Sequence, residues 1–331
     1  MLWRSSLMKN NFIISAAHCS PVFLDADKTT SKVIEIIEKA KNQKSKLIVF
    51  PESFIPGFPI WNAIDKPINN HDFFKKFVQH SIRIDGPQIK KISEAAKKFS
   101  IIVSIGFSES VPQSVGCLFN SNIIINELGE IINHHRKIVP TFFEKLTWSN
   151  GDSHGLKVVN TSIGKLGALI CGENTNPLAR YSMIAEGEQI HISTYPPIWP
   201  THTPNANDKY DLAAAIKIRA GAHSFEGKVF NIVAASILDL NTKKILANEI
   251  EGAEYILANS PKGISMIVGP DGMPIIETNS EKDEILSQEI DLDKCIIAKQ
   301  FHDLSGYYNR FDIFEFKVNR FRTSPIEIKN K

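Results

Sequence analysis

The feature that most constrains the fold is a regular alternation of short apolar runs with stretches of helical periodicity. An apolar run at 12–17, helical spacing at 33–40 and a second run at 47–50 predict strand, helix and strand in that order. The same alternation recurs in the next segment, where a helix begins at Gly86-Pro87 and a buried strand follows at 101–107. This repeated order predicts an α/β protein in which helices cover the sheets.

Two hairpin signals show that the sheets are not purely parallel. One surrounds residues 126–129 and the other surrounds the Asp271-Gly272 turn. The other predicted elements are strands at 123–125, 131–132, 166–170, 189–194, 229–235, 265–269 and 274–277, and helices at 178–188 and about 208–225. The chain contains neither GxGxxG nor GxxxxGK[ST], so no cofactor is expected.

Length and composition fit one large domain. The chain has 331 residues, of which 43% are hydrophobic, enough for a sizeable core. We expect a single domain over 11–312, a short N-terminal extension at 1–10 and a C-terminal tail at 313–331. Met8 is a possible second start, since the first strand begins only after it.

Charge and cysteine usage exclude several classes of function. The 38 basic and 36 acidic side chains leave a formal net charge of +2 and are interleaved, which argues against nucleic acid as a partner. No apolar run is long enough to cross a membrane and the start does not resemble a signal peptide, so a cytoplasmic protein is expected. The four cysteines lie far apart without a CxxC pair, which predicts free thiols and no metal site.

Three polar residues follow predicted strands directly. Glu52 follows the run at 47–50, Lys137 ends a basic cluster that begins at His134, and Cys171 follows the strand at 166–170. Taken one by one, each has a plainer alternative: a solvated turn glutamate, a lysine on a solvated edge strand, and an inert core thiol. His134 and His135 are neighbours on a strand, so they point to opposite faces and do not share a metal.

Cys171 has neighbours that weaken the plainer alternative. Gly172 permits a sharp turn, and Pro177 marks the start of a helix soon after. This arrangement lifts the thiol out of the sheet near a helix N-terminus, a position expected to favour the thiolate.

Together the three motifs resemble those of the nitrilase superfamily. They occur in the family's order, with Glu52 in PES, Lys137 in HRKIVPT and Cys171 in CGENTNP, and the likeness extends over about 11–312. The Cys-x-Glu-Asn form resembles the nitrilase branch, whereas the amidase and carbamoylase branches usually continue with an aromatic or basic residue and an Asp. Gly172 stands where that branch often has Trp.

The resemblance implies a four-layer αββα sandwich, commonly a homodimer or larger homo-oligomer, and a hydrolase that converts a small nitrile to acid and ammonia. Cys171 is the implied nucleophile, Glu52 the base, and Lys137 the stabiliser of charge on the substrate nitrogen. It also implies a second catalytic glutamate at Glu144, whose alternative is a surface helix glutamate.

Aromatic residues in two predicted loops are candidates for the pocket wall, with ordinary core packing as the alternative. Glu173 either acts through local hydrogen bonds or caps the turn. The candidate substrate-binding residues are Phe58, Trp61, Glu173, Asn174, Tyr195 and Trp199, and Phe54 is a further candidate for the aromatic wall.

Three other functions remain open from the sequence. One is an amidase or N-carbamoyl hydrolase with the same triad. Another is a Cys-His hydrolase that uses His18, His191 or His223 as the base. The last is a binding or scaffold protein that has kept the fold but lost catalytic activity.

Overall fold

The structure, a computed structural model, describes residues 11–207 and 210–323. The predicted extension at 1–10 with Met8, and the end of the predicted tail at 324–331, lie outside the described residues. So does Asp208, the predicted start of the Ala-rich helix.

Each element predicted from the sequence is found, with bounds that differ by a few residues. The strands are β1 (Asn11–His18), β2 (Ser45–Val49), β3 (Ile102–Val111), β4 (Ser114–Ile125), β5 (Ile131–Arg136), β6 (Val159–Thr161), β7 (Gly164–Ile170), β8 (Ile190–Tyr195), β9 (Phe230–Ala235), β10 (Ser265–Val268), β11 (Pro274–Thr278) and β12 (Glu284–Asp291). The helices are α1 (Ala26–Asn42), α2 (Trp61–Ile64), α3 (His71–His80), α4 (Pro87–Phe99), α5 (Pro177–Ala185), α6 (Leu212–Gly227), α7 (Leu240–Glu249), α8 (Ala253–Asn259) and α9 (Asp293–Phe301).

The helix starts follow ordinary capping chemistry. Asp25 caps α1 by accepting a hydrogen bond from Lys28 N at 2.9 Å. Asn176 caps α5 directly before Pro177, whose fixed φ suits the first helical position. Asp211 caps α6 by accepting from Ala214 N, so this helix begins at Leu212 and not near 208 as predicted.

Within the described residues the strands form two six-stranded sheets of mixed pairing. The first has the order β12-β1-β2-β3-β4-β5 and the second β11-β10-β9-β8-β7-β6. The central pairs β1·β2, β2·β3, β7·β8 and β8·β9 are parallel, and the outer pairs are antiparallel. Sequence analysis missed β12, a polar strand that pairs with β1 along its whole length.

The alternating side chains of β2 show how the layers stack. Leu47 and Val49 point into a cluster shared by both sheets, whereas Ile48 and Phe50 point into a second cluster with helices α1 and α4. Both faces of this strand are therefore buried, as in a sheet covered on two sides. The expected four-layer αββα sandwich is confirmed.

Strands β2 and β5 run in the same direction, so their carboxyl ends lie at one edge of the first sheet. Strands β3 and β4 separate them, a gap of roughly 14 Å at about 4.8 Å per strand. Residues after these two strands therefore meet only if the chain crosses the edge between them.

Part of the predicted tail packs on the body of the protein. Arg322 forms an ion pair with Asp152 at 3.2 Å and donates to the backbone oxygen of His134 at 2.8 Å. The backbone nitrogen of Thr323 donates to Asp152 at 3.0 Å. No helix in the described ranges 11–207 and 210–323 is both long and apolar enough to span a membrane.

Candidate active site

Glu52 reaches the site because the chain crosses over β3 at a glycine. A β-carbon on Gly106 would lie 2.5 Å from the backbone oxygen of Pro51, so only glycine allows this approach. The side chain of Asn120, on β4, then donates a hydrogen bond to Glu52 Oε1 at 2.8 Å. Glu52 is 1% exposed, which excludes the alternative of a solvated turn residue.

Lys137 lies between two carboxylates. Its Nζ donates to Glu52 Oε1 at 2.8 Å and to Glu144 Oε2 at 2.6 Å. All three side chains are fully buried, so Lys137 is not an edge-strand lysine in solvent. The cross-over of the Glu52 segment closes the gap between the ends of β2 and β5.

Glu144 is held in place by its own backbone turn. It is the middle residue of a short 3₁₀ helix at Phe142–Leu146. It forms a capping box with Thr141, whose backbone nitrogen donates to Glu144 Oε2 at 2.9 Å. The side chain is 0% exposed. The alternative of a surface helix glutamate is therefore excluded.

Cys171 follows β7 in a left-handed backbone conformation, with φ of 48°. This conformation is uncommon outside glycine and marks a sharp turn. The thiol is buried, and its sulfur and one oxygen each of Glu52 and Glu144 all lie within 4.8 Å of one another. The ammonium of Lys137 lies 2.6 to 2.9 Å from those carboxylates, so it already occupies the position that a cation between them would take.

The charges of the site keep the thiol protonated at rest. Burial, followed by the nearby carboxylate of Glu52, raises the pKa of Cys171 well above its usual value, and Lys137 offsets only part of this. Any effect of the turn in favour of a thiolate is therefore outweighed. The helix that begins at Cys171 is a single five-residue 3₁₀ turn, too short to outweigh burial and a carboxylate.

The ammonium of Lys137 and the carboxylate of Glu144 shift each other's pKa. Burial lowers the pKa of Lys137, but Glu144 and Glu52 outweigh it, so the net shift is well upward. Burial raises the pKa of Glu144 to about 7, against the opposing effect of Lys137. Lys137 therefore remains an ammonium, while Glu144 can exchange a proton near neutral pH.

Glu173 joins the Lys137 segment to the Cys171 segment. Its Oε1 accepts from Ile138 N at 2.6 Å, and its Oε2 accepts from Ile170 N at 2.8 Å and lies 2.9 Å from His135 Nε2. Both oxygens are occupied by protein groups, so a contact with substrate would require breaking this bridge. Both roles weighed for Glu173 are present, since it caps the 3₁₀ turn through Ile170 N and also makes local hydrogen bonds to Ile138 and His135.

The polar side-chain atoms of Asn174 also bind protein groups. Its side chain donates to the backbone oxygens of Cys171 at 3.1 Å and Leu169 at 3.2 Å, and accepts from Ser193 at 3.0 Å. It is 0% exposed. The structure thus places Asn174 beneath the Cys171 turn and not on an open pocket wall.

The predicted aromatic residues Phe58, Trp61, Tyr195 and Trp199 lie in one hydrophobic cluster with Cys171. Phe58 is central among them, with its ring 5.6 Å from that of Trp148 and 6.1 Å from that of Trp199. Tyr195 is buried, and its hydroxyl has no hydrogen-bond partner within the described part of the chain.

Two members of the predicted aromatic wall have different surroundings. Phe54 belongs to the cluster beneath α1 and α4, with its ring 5.5 Å from Phe50, so its assignment to the wall is wrong. Phe58, four residues later, lies instead in the cluster that contains Cys171. Trp61 is fully buried and stacks on Phe73 at 5.4 Å.

The rings proposed as alternative bases are engaged elsewhere. His18 lies between Ser265 and the backbone oxygen of Ser280, at 2.8 Å from each. His191 and His223 both bind Glu188. Among the described hydrogen bonds, none of these three histidines contacts the Cys171 thiol. His134 and His135 bind Glu109 and Glu173 respectively, which confirms their opposite directions.

Sequence analysis missed several residues of the site. Asn120 lies in the middle of β4 and Phe143 beside Glu144, and neither has a local sequence signal. Phe143 packs on Trp199 with a ring distance of 4.5 Å. Gly106 interrupts an otherwise apolar strand, a pattern that often marks close approach of another backbone, and this signal was available.

Gly172 gives a testable packing prediction. A β-carbon there would lie 2.7 Å from Thr141 Oγ1, the residue that caps the Glu144 turn. We expect Gly172→Ala to lower the free energy of unfolding by about 1–3 kcal/mol, measured by urea denaturation. In a Thr141→Ala background the same change is expected to cost under about 1 kcal/mol. Equal costs in both backgrounds would show that the contact does not matter.

Comparison with known proteins places this geometry in a family. The family model for carbon-nitrogen hydrolases matches residues 13–300. The chain belongs to the carbon-nitrogen hydrolase family. The expected membership of the nitrilase superfamily is thereby confirmed.

Curated relatives match over most of their length. The chain is 30% identical to a nitrilase of Penicillium rubens over 317 residues, covering 95% of this chain and 94% of that protein. It is 34% identical to a nitrilase of Talaromyces marneffei over 315 residues, covering 92% and 94% respectively. It is also 32% identical to a cyanide hydratase of Botryotinia fuckeliana over 322 residues, covering 94% and 84%.

A solved structure shares the fold at lower identity. Nit3 of Saccharomyces cerevisiae, a member of branch 10 of the nitrilase superfamily, superposes with a TM-score of 0.69 and 22% identity, covering 91% of this chain and 97% of that one. This similarity supports the carbon-nitrogen hydrolase fold found here.

Proposed function

We propose that this carbon-nitrogen hydrolase converts an organic nitrile to the carboxylic acid and ammonia through covalent intermediates on Cys171. The observation that supports the proposal most directly is the buried Lys137 ammonium, held by Glu52 and Glu144 beside a protonated thiol. That set combines a nucleophile, a base and a stabiliser of developing negative charge in one dry site.

The first step forms the carbon–sulfur bond. Glu52 accepts the thiol proton as Cys171 attacks the nitrile carbon, and its Oε2 is the suitable acceptor because it is buried without a partner in the described residues. Lys137 stabilises the negative charge that develops on the nitrogen, which then takes up the proton. The product is a neutral thioimidate, so atoms and charges balance.

Two water molecules complete the reaction. The first adds to the thioimidate carbon. The carbon–nitrogen bond then breaks, ammonia departs, and a thioester on Cys171 remains. The second water, deprotonated by Glu52, attacks the thioester and releases the carboxylic acid and the Cys171 thiol. In this scheme Glu144 orients Lys137 through the hydrogen bonds at 2.6 and 2.9 Å.

We assign the substrate-binding surface to Phe58, Trp199 and Tyr195, which cluster with Cys171. Trp61 supports this wall from behind through its stack on Phe73. Glu173 and Asn174 are positioning residues in this proposal, because their polar atoms bind protein groups.

A nitrile and amide panel tests the function. We expect ammonia and carboxylic acid from aliphatic, aryl or arylaceto nitriles, in keeping with the activity named for the curated relatives. Hydrolysis of the matching amides alone would instead support an amidase or N-carbamoyl hydrolase.

Glu52→Gln tests the base within that assay. The amide keeps the shape of the side chain but cannot accept the thiol proton, so we expect kcat to fall by about 10²- to 10⁴-fold. The matched control is Glu109→Gln, since Glu109 is a buried carboxylate paired with Arg136 at 2.5 Å outside the site. The control is expected to lose stability and keep its activity. Equal activity losses in the two variants would contradict a specific role for Glu52.

A further inference from the structure

We propose that the buried pair Glu188 and His191 positions the nucleophile Cys171, acting through Asn174. The inference rests on the proposed role of Cys171, and adds positioning residues to it. Glu188 precedes β8, His191 lies in that strand, and both are fully buried. The pair is linked to the nucleophile turn by a continuous chain of hydrogen bonds.

The orientation of the Asn174 amide starts the argument. One end of the amide faces two backbone oxygens, those of Cys171 at 3.1 Å and Leu169 at 3.2 Å. Carbonyl oxygens only accept hydrogen bonds, so this end is the NH₂ group. The other end, Oδ1, therefore faces His191 Nε2 and Ser193 Oγ, each at 3.0 Å, and accepts from both.

The second ring nitrogen of His191 contacts Glu188. His191 Nδ1 lies 2.7 Å from Glu188 Oε1, and His223 Nε2 lies 2.6 Å from Glu188 Oε2. Burial alone would raise the pKa of Glu188, but His191 and His223 outweigh it and hold the pKa at about 2. Each oxygen of Glu188 thus contacts one ring nitrogen of a different histidine, which fixes the orientation of the His191 ring.

His191 therefore bridges Glu188 and Asn174, with its Nε2 donating to the amide oxygen. Burial and the neighbouring His191 lower the pKa of His223 to about 4, so that ring is neutral. The Glu188 side chain holds the His191 ring, and the ring holds the Asn174 amide in one orientation. The amide in turn holds the backbone oxygen of Cys171.

Strand β7 has a glycine at the point where it passes Glu188. A β-carbon on Gly167, in β7, would lie 1.9 Å from Glu188 Oε1, so the carboxylate occupies space that only glycine leaves free. The network ends at the Cys171 turn, whose φ of 48° requires outside support. We infer that the pair keeps this turn in the geometry that presents the sulfur to Glu52 and Lys137.

Alkylation of Cys171 by iodoacetamide tests the inference without a nitrile. The rate is followed by mass spectrometry of the peptide that contains Cys171. We expect His191→Leu to slow alkylation by at least about tenfold, because a displacement of about 1 Å costs up to 10²-fold in reactions of this kind. In nitrile hydrolysis we expect kcat to fall similarly, with KM changed less than about twofold.

His223→Leu is the matched control. His223 is equally buried and binds the same carboxylate, but no described hydrogen bond joins it to Asn174. We expect alkylation within about twofold of the wild-type rate, even though stability falls. If His191→Leu reacts at the wild-type rate, or if His223→Leu is slowed as much as His191→Leu, the inference is overturned.

A second pair of variants decides the matter if His191→Leu does not fold. In Glu188→Gln the amide can donate to His191 Nδ1 and accept from His223, so every hydrogen bond has a partner and the alkylation rate is expected to stay within about threefold of wild type. Glu188→Ala removes the support and is expected to slow alkylation by about tenfold. Equal rates in these two variants would contradict positioning by Glu188. A wild-type protein that is alkylated but hydrolyses no nitrile would refute the proposed function alone.

Discussion

Cys171→Ala is expected to abolish nitrile hydrolysis, with kcat reduced by roughly 10⁴-fold or more. In the proposed mechanism no other group forms the covalent bond to the nitrile carbon, and loss of the nucleophile in a hydrolase usually costs this much. The change removes one buried sulfur, so the free energy of unfolding is expected to fall only by about 1–3 kcal/mol. Ammonia release and urea denaturation, measured on the same preparation, separate the two effects.

Cys295→Ala is the control for that experiment. Cys295 is also a buried thiol, and its pKa is likewise raised by burial, to about 12, but it lies in the core between the two sheets. We expect a similar loss of stability and unchanged turnover. Ammonia release by Cys171→Ala at the wild-type rate would rule out the covalent mechanism.

Lys137→Met is expected to impair both stability and activity. Methionine keeps the apolar stem but leaves Glu52 and Glu144 facing one another without the ammonium that holds them. Breaking a buried ion pair by removing one partner typically costs about 3–5 kcal/mol. Loss of the charge that stabilises the substrate nitrogen is expected to reduce kcat by a further 10²- to 10³-fold.

A double variant distinguishes these two contributions. Lys137→Met combined with Glu144→Gln removes one of the two opposed carboxylates, so part of the lost stability should return in urea denaturation. Turnover should not return, because the ammonium is still absent. If activity recovers together with stability, Lys137 acts only as a structural cation.

The catalytic candidates were accessible from sequence because each follows a strand directly. Glu52, Lys137 and Cys171 each come one to three residues after the end of a strand, and such positions lie at the edge of a sheet. Sequence could not show that Asn120 supports Glu52, since residue 120 is remote in the chain and looks like any polar residue in a strand. Nor could it show that Phe54 and Phe58 belong to different clusters.

The net pKa shift of the Cys171 thiol could not be predicted from the sequence, for a physical reason. The sequence shows a cysteine near a helix start, which favours a thiolate, but it does not show how deeply the thiol is buried. Burial and the Glu52 carboxylate raise its pKa, and both effects depend on residues brought together by two different sheets. Sequence order alone carries no information on these distances.

The sequence was enough to predict many of the strands and helices in their order, two hairpins and the three motif residues, because apolar periodicity and turn chemistry act over a few neighbouring residues. Tertiary structure alone decided which groups meet: the crossing of the Glu52 segment over Gly106, the burial of Lys137 between two carboxylates, and the Glu188–His191–Asn174 chain beneath Cys171. These depend on contacts between residues far apart in the chain, whose strength is set by burial and short distances.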